Sequence, residues 1–181
     1  MLSNGSDLKS RIVSDFALIP HPKPDQINPY PCCPEHDGMT EWFQAHTWKD
    51  FQKELEKGTL DSEFMPFEPE GYRYFLPAVL LYTLESYEIQ KEKIWEWKIL
   101  SGVTCAPIAN WIGVLIPIFE EPYLINYQEK RKILTNNQIK IIRKYLSYFD
   151  NVSPIEEEEF RKNIQRALRE FWVEEIIKGN N

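Results

Sequence analysis

Phe67–Glu85 reads FEPEGYRYFLPAVLLYTLE, and these residues spell a helix meant for the inside of a domain. Pro69 suits a first helical position, where a missing N–H leaves nothing unpaired. Glu68 and Glu70 place negative charge at the positive end of the helix. Tyr72, Phe75, Leu76, Val79, Leu80, Tyr82 and Leu84 then put apolar groups on most sides, the pattern of a buried helix rather than a surface one. Pro77 removes the bond to the Arg73 carbonyl, so a kink is expected there. Tyr72, Arg73 and Tyr74 bring polar tips close to that freed carbonyl and are candidate binding residues. On the plainer reading Arg73 snorkels, or pairs with a carboxylate at the core edge. On the functional one the kink shapes a pocket floored by Arg73 and the tyrosines.

Working outward, Ser86–Ser101 continues as helix, although Trp95 and Trp97 stand at strand-like spacing. Before the central stretch, Thr47 with Asp50 three places on forms a helix start, and Gly58 is the stop, giving a helix over Trp48–Lys57. Gly38–Ala45 is expected to make a helical turn with Trp42 and Phe43 inward. Ser6–Ala17 reads as a short helix with Ser6 as cap, ended by Pro20 and Pro22. Val103–Phe119 leaves a short strand pair open, with Pro117 against it. Asn110 is either pocket lining or a satisfied core amide. Glu120–Leu134 reads as connector, with a basic run at Lys130-Arg131-Lys132. Thr135 and Gln138 form another capping box. Ile139, Ile142, Leu146 and Phe149 follow as the inner stripe of a helix, with Lys140, Arg143 and Lys144 outward. Ser153-Pro154-Ile155-Glu156 opens a last helix carrying Phe160, Ile164, Ala167, Leu168, Phe171 and Ile176 inward. Glu157–Arg161 and Glu158–Lys162 are expected ion pairs on it.

The fold expected is all-α. It is one compact multi-helix domain over residues 1–181, with a proline-kinked central helix and a long proline-rich N-terminal loop. Residues 1–5 and 178–181 are expected to be flexible. The core GYRYFLPAVLLYTL (71–84) resembles the FRYYLPAYLL signature of a bacterial family of uncharacterised proteins, DUF6714. IVSDFALIPHP at 12–22, LTNNQ at 134–138 and RALREFW at 166–172 fit the same family in the same order. The resemblance implies a single helical domain and carries no catalytic residues.

Composition narrows the function. The chain has 181 residues, long enough for a sizeable core, and 14% of them are aromatic. A formal charge of −7 argues against nucleic-acid binding, which needs clustered Lys and Arg. The charge is uneven: residues 1–90 carry 7 basic and 15 acidic groups, and residues 91–181 carry 14 and 13. The six cations Lys130–Lys132, Lys140, Arg143 and Lys144 read as a solvated face. No run is apolar enough to span a bilayer, and Met1–Ser10 lacks the apolar core of a signal peptide, so a cytoplasmic protein is expected. Three cysteines, two of them adjacent, make no disulfide framework.

HPKPDQINPYPCCP (21–34) holds five prolines in fourteen residues and reads as irregular loop. Metal-capable groups gather in and after it. Cys33 and His36 have the two-residue gap of half a zinc site, and His21 and His46 could complete one in space. No second ligand pair follows in sequence, so no cofactor is expected and zinc is the alternative. There is no phosphate loop, HExxH or nucleophile elbow. A Cys–His dyad or a carboxylate pair is conceivable, but no spacing compels either. The leading expectation is a small acidic protein–protein interaction module, immunity-like or regulatory, facing a basic partner through Glu35, Asp37 and Glu41. The alternative is an enzyme or metal-binding protein using loop 21–46. Nothing in the pattern specifies an oligomeric state.

Overall fold

In a computed structural model of the chain the structure describes residues 5–27, 34–58, 60, 68–101, 106–152 and 158–173, with the side chains of 34–37, 39, 90–101, 106–107 and 152 left aside. The described residues form eight α-helices: α1 (Gly5–Phe16), α2 (Pro34–Ala45), α3 (Trp48–Lys57), α4 (Pro69–Ser101), α5 (Ala106–Gly113), α6 (Tyr123–Lys132), α7 (Asn136–Val152) and α8 (Glu158–Arg166). A short 3₁₀ turn, Pro24–Gln26, precedes α2, and α8 widens into a π-helical turn over Ala167–Phe171. The expected all-α architecture holds.

The organising helix α4 is 33 residues long and runs past Pro77 to Ser101. Tyr72, Tyr74, Phe75, Leu76, Ala78, Val79, Leu80, Leu81 and Leu84 are all buried, so the helix is enclosed on most sides. It packs against α1, α3, α5 and α6. Each fully buried Leu, Val or Phe side chain contributes about 1.5–3 kcal/mol, and this density of them makes α4 the core's axis. Gly5 lies against Glu88 and His21 against Tyr74, so α1 runs antiparallel to α4. Leu8, Ile12 and Phe16 form its buried stripe, at the three-to-four-residue spacing of one helix face. At one end of the core Phe43, Phe51 and Phe75 meet edge-on, with ring centroids 4.6–5.7 Å apart, joining α2, α3 and α4. Such pairs add about 0.5–1.5 kcal/mol beyond area burial.

Several helix ends follow the sequence. Thr47 and Asp50 exchange the capping-box hydrogen bonds that open α3, and Gly58 closes it at φ 70°, where a side chain would be strained. Thr135 and Gln138 make the second box, at the start of α7. The π turn ends with Trp172 fully buried, its indole Nε1 donating to the Leu115 carbonyl at 2.7 Å.

Other expectations need correction. No strand occurs among the described residues, so the pair expected near 103–119 has no strand over 106–119, while 103–105 lie outside the described residues. Ala106–Gly113 is helix α5, which tolerates Pro107 in its first turn, and Val114, Leu115 and Ile116 close it with turn hydrogen bonds. Glu120–Leu134 is not mere connector. Tyr123–Lys132 is helix α6, entered after a cis Glu121–Pro122 bond. Ser6 lies inside α1 rather than before it, and α2 extends N-terminally to Pro34. The helix start at 153–156 and the Glu157–Arg161 pair lie outside the described residues, whereas Lys162 does pair with Glu158 at 2.6 Å.

Candidate functional site

The first two turns of α4 carry the sequence-predicted trio Tyr72, Arg73 and Tyr74, and the structure separates their roles. The Arg73 guanidinium turns to α7, where Nε donates to Gln138 Oε1 at 3.2 Å. Gln138 is 1% exposed. Its oxygen also accepts from the Thr135 N–H, and its Nε2 donates to the Asp15 carbonyl at the end of α1. Arg73 thus works as a core-edge strut. Its partner is a carboxamide rather than the expected carboxylate. Tyr74 is buried against the His21 ring, with burial raising its phenol pKa.

Tyr72 is fully enclosed, and its hydroxyl donates to the Val114 carbonyl at 3.1 Å. Burial lifts its pKa well above the phenol range. Over its ring lies the ammonium of Lys130 from α6, 4.9 Å from the centroid, and Tyr127 of the same helix sits 5.2 Å from that ammonium. Tyr127 and Lys130 are three residues apart and so share one helix face. Lys130 is 8% exposed. Loss of water pulls its pKa down to about 8, with nearby Glu68 opposing the shift. The basic run is therefore not a solvated face. Lys130 is inside, Arg131 donates to the Val173 carbonyl, and only Lys132, paired with Glu129, stands outward. Arg143, also expected outward, donates instead to the Leu168 and Trp172 carbonyls and holds the chain after α8.

The metal-capable residues are only partly brought together. His21 Nε2 lies 3.0 Å from the His46 carbonyl, and its Nδ1 lies 3.0 Å from the carbonyl of Pro22. His46 stacks on Trp42 at 4.3 Å with its Nδ1 2.7 Å from the Trp42 carbonyl. Both nitrogens of His21 thus face backbone oxygens rather than an open ligand position. Cys33 and the side chain of His36 lie outside the described residues. Among the described residues no group of three or more His, Cys, Asp or Glu is placed to hold a metal ion. Of the acidic trio, Glu41 is exposed on α2, and the side chains of Glu35 and Asp37 are not described. Asn110 is exposed too, and so not a core amide.

A groove of about 820 Å³ opens between α1, α3 and α4. Leu81 and Trp48 supply its apolar floor, Val13 a wall, and Lys9, Lys49, Lys53, Glu56 and Glu85 its charged rim. The Lys49 ammonium lies 5.6 Å from the Trp48 ring centroid. Glu85 is held by Lys9 at 3.6 Å and by Gln52, which also reaches Glu56. The set offers an aromatic edge and charges of both signs.

What these features define is a compact helical domain with a surface groove and a single buried lysine among its described cations. The model of DUF6714, a family of unknown function, matches residues 25–176, and the chain belongs to that family. No curated protein and no solved structure matches it. No helix among the described residues is long and apolar enough to cross a membrane.

Proposed function

We propose that this chain is a cytoplasmic interaction domain that holds a segment of a partner protein in the groove between α1, α3 and α4. The observation that carries the proposal is the groove itself, with the Trp48 edge, Leu81 and Val13 at its floor and wall inside a ring of opposed charges. Buried aromatic anchors surrounded by polar groups are the usual form of an interface hot spot. The groove lies within the acidic half of the chain, and exposed Glu41 adds to that field. A basic partner, masked in an immunity-like or regulatory way, meets Glu56 and Glu85 on the rim and Glu41 beyond it, while Lys9, Lys49 and Lys53 require acidic groups in the same segment; rim charges of this kind mainly speed encounter.

The test is capture of the partner from the native host by tagged wild-type protein, set beside Val13→Asp and Glu56→Lys in the groove and Glu41→Lys on α2. Loss of one stoichiometric partner with the groove variants, at unchanged melting temperature, supports the reading. Slower association with Glu41→Lys supports the charge complement. Retention of the same partner by both groove variants refutes the groove as its seat.

A second reading, an enzyme or metal-binding protein built on loop 21–46, draws on the proximity of His21 to His46. Stoichiometric zinc that is lost in His46→Ala and Cys33→Ala favours it. A metal-free protein whose melting ignores chelator refutes it.

A further inference from the structure

The groove between α1, α3 and α4 carries opposite charge at its two ends. Lys49, Gln52, Lys53 and Glu56 line it from one face of α3, at positions i, i+3, i+4 and i+7. The exposed Lys49 has its ammonium 5.6 Å from the Trp48 ring centroid, and no carboxylate among the described residues pairs with it. Lys53, one turn on, is neutralised by Asp50 at 3.2 Å. Two turns beyond Lys49, exposed Glu56 accepts from the Gln52 amide at 3.2 Å, and the same Nε2 donates to Glu85 of α4 at 3.0 Å. One amide nitrogen thus gathers two carboxylates, and Lys9, at 3.6 Å from Glu85, balances only one of them. One end is left with net positive charge and the other with net negative charge. Seven residues of helical rise separate Lys49 from Glu56, about 10 Å. Val13, Trp48 and Leu81 supply the apolar surface of the same groove.

The walls of this groove are helices, and no strand lies among the described residues. An extended segment would press its N–H and C=O groups onto Trp48, Leu81 and Val13 with no sheet edge to pair them. A helix arrives with its backbone bonds already closed and offers side chains alone. Resting on the reading of the groove as the seat of a partner segment, we propose that its occupant is an amphipathic α-helix of mixed charge. One face of that helix carries an acidic residue at i, apolar residues at i+3 and i+4, and a basic residue at i+7. The acid meets Lys49, and the apolar pair covers Val13, Trp48 and Leu81. The basic residue meets Glu56 and Glu85 together, which suits the planar fork of arginine better than the point charge of lysine. The pattern is symmetric about its middle, so it sets a spacing and leaves the direction of the helix free. A helix with like charges at both positions is rejected, because one end then faces its own sign whichever way the helix lies.

The test is fluorescence anisotropy of labelled alanine-based peptides of about eighteen residues, long enough to be helical alone, titrated with the full chain at low salt. The first peptide carries Glu, Leu, Leu and Arg at i, i+3, i+4 and i+7. The second has Arg at both charged positions and the third has Glu at both. The fourth keeps the composition of the first, with Glu and Arg moved to i+2 and i+9 on the opposite face. The Glu–Arg peptide should bind about three- to tenfold tighter than each of the others, and the difference should shrink at about 1 M salt. In Glu56→Lys the preference should pass to the doubly acidic peptide. Equal binding of the four, tightest binding by either like-charged peptide, or an unchanged preference in Glu56→Lys overturns the proposal. Absence of peptide binding, where the native partner is still captured and is lost in Val13→Asp, overturns the helix and keeps the groove. Peptides that bind Val13→Asp as tightly as wild type, at native melting, overturn the groove itself.

Discussion

Replacing Gln138 by leucine separates a structural Arg73 from a functional one. Gln138 is 1% exposed and ties three elements together. Its oxygen accepts from Arg73 Nε at 3.2 Å and from the Thr135 N–H at 3.0 Å, and its amide donates to the Asp15 carbonyl at 3.0 Å. A hydrogen bond to a charged group contributes about 1.5–3 kcal/mol and a neutral one about 0.5–1.5, while the leucine regains part of the loss by burial. The expected cost is about 2–4 kcal/mol, or about 4–16 °C in Tm for a chain of this size. Urea unfolding followed by circular dichroism reads the free energy directly. Arg73→Met keeps the apolar stem and removes the guanidinium. The double variant should cost about 1 kcal/mol less than the two single changes added, because the shared bond is lost only once. Strict additivity, or a cost for Gln138→Leu under about 1 kcal/mol, would refute the strut and return Arg73 to the list of free binding groups.

Three further perturbations probe other joints. Thr47→Ala removes the α3 cap at a cost of about 1 kcal/mol. The Asp50 carboxyl, held down to about 2 chiefly by the Thr47 hydroxyl and then by its N–H and Lys53, should titrate closer to 3.8 by NMR in that variant. Because the folded pKa is depressed, the Asp50 contribution is full above about pH 4 and fades as pH falls through about 2; an unchanged titration in Thr47→Ala would show that Thr47 is not the cause. In the core, Thr83 donates to the Val79 carbonyl at 2.7 Å and so accepts from the Tyr145 hydroxyl. Thr83→Val strands a buried phenol and should cost about 1–3 kcal/mol, and adding Tyr145→Phe should recover part of that; no recovery in melting would refute the pairing. Arg143→Met frees the Leu168 and Trp172 carbonyls, and limited proteolysis should cut the segment after α8 sooner than in wild type. Equal cutting rates would mean that Arg143 does not hold it.

Features encoded locally were legible in the sequence. Thr47 with Asp50, Gly58, and Thr135 with Gln138 need only neighbouring residues to act, and the structure uses each as its spacing indicates. The run around Phe75 and Val79 declared its burial because apolar groups occupy most sides of the helix. VLIPIF at 114–119 was ambiguous for the opposite reason: a short apolar run has no period to choose between helix, strand and packed turn. Helix α6 was hidden because YLINYQEKRK is polar on most sides and shows no stripe. Lys130 was misplaced among exposed cations because its burial depends on Tyr72, fifty-eight positions earlier in the chain. The one local hint was Tyr127, three residues before it on the same face. Likewise, no spacing could show that Arg143 would reach carbonyls beyond α8, or that His21 would turn both ring nitrogens toward backbone oxygens.

The burial of Trp172 sets an order on the making of the molecule. A nascent chain emerging from the ribosome exposes α1, α3 and α4 first, with the groove among them. Its Leu115 carbonyl still faces water, and Tyr127 lacks the edge of Phe171 that packs on it at 6.2 Å. The Leu115 carbonyl gains its indole partner only once residue 172 has left the exit tunnel. Until then the apolar surface destined for Phe171 and Trp172 is open to other proteins, and chaperone contact during synthesis should concentrate there.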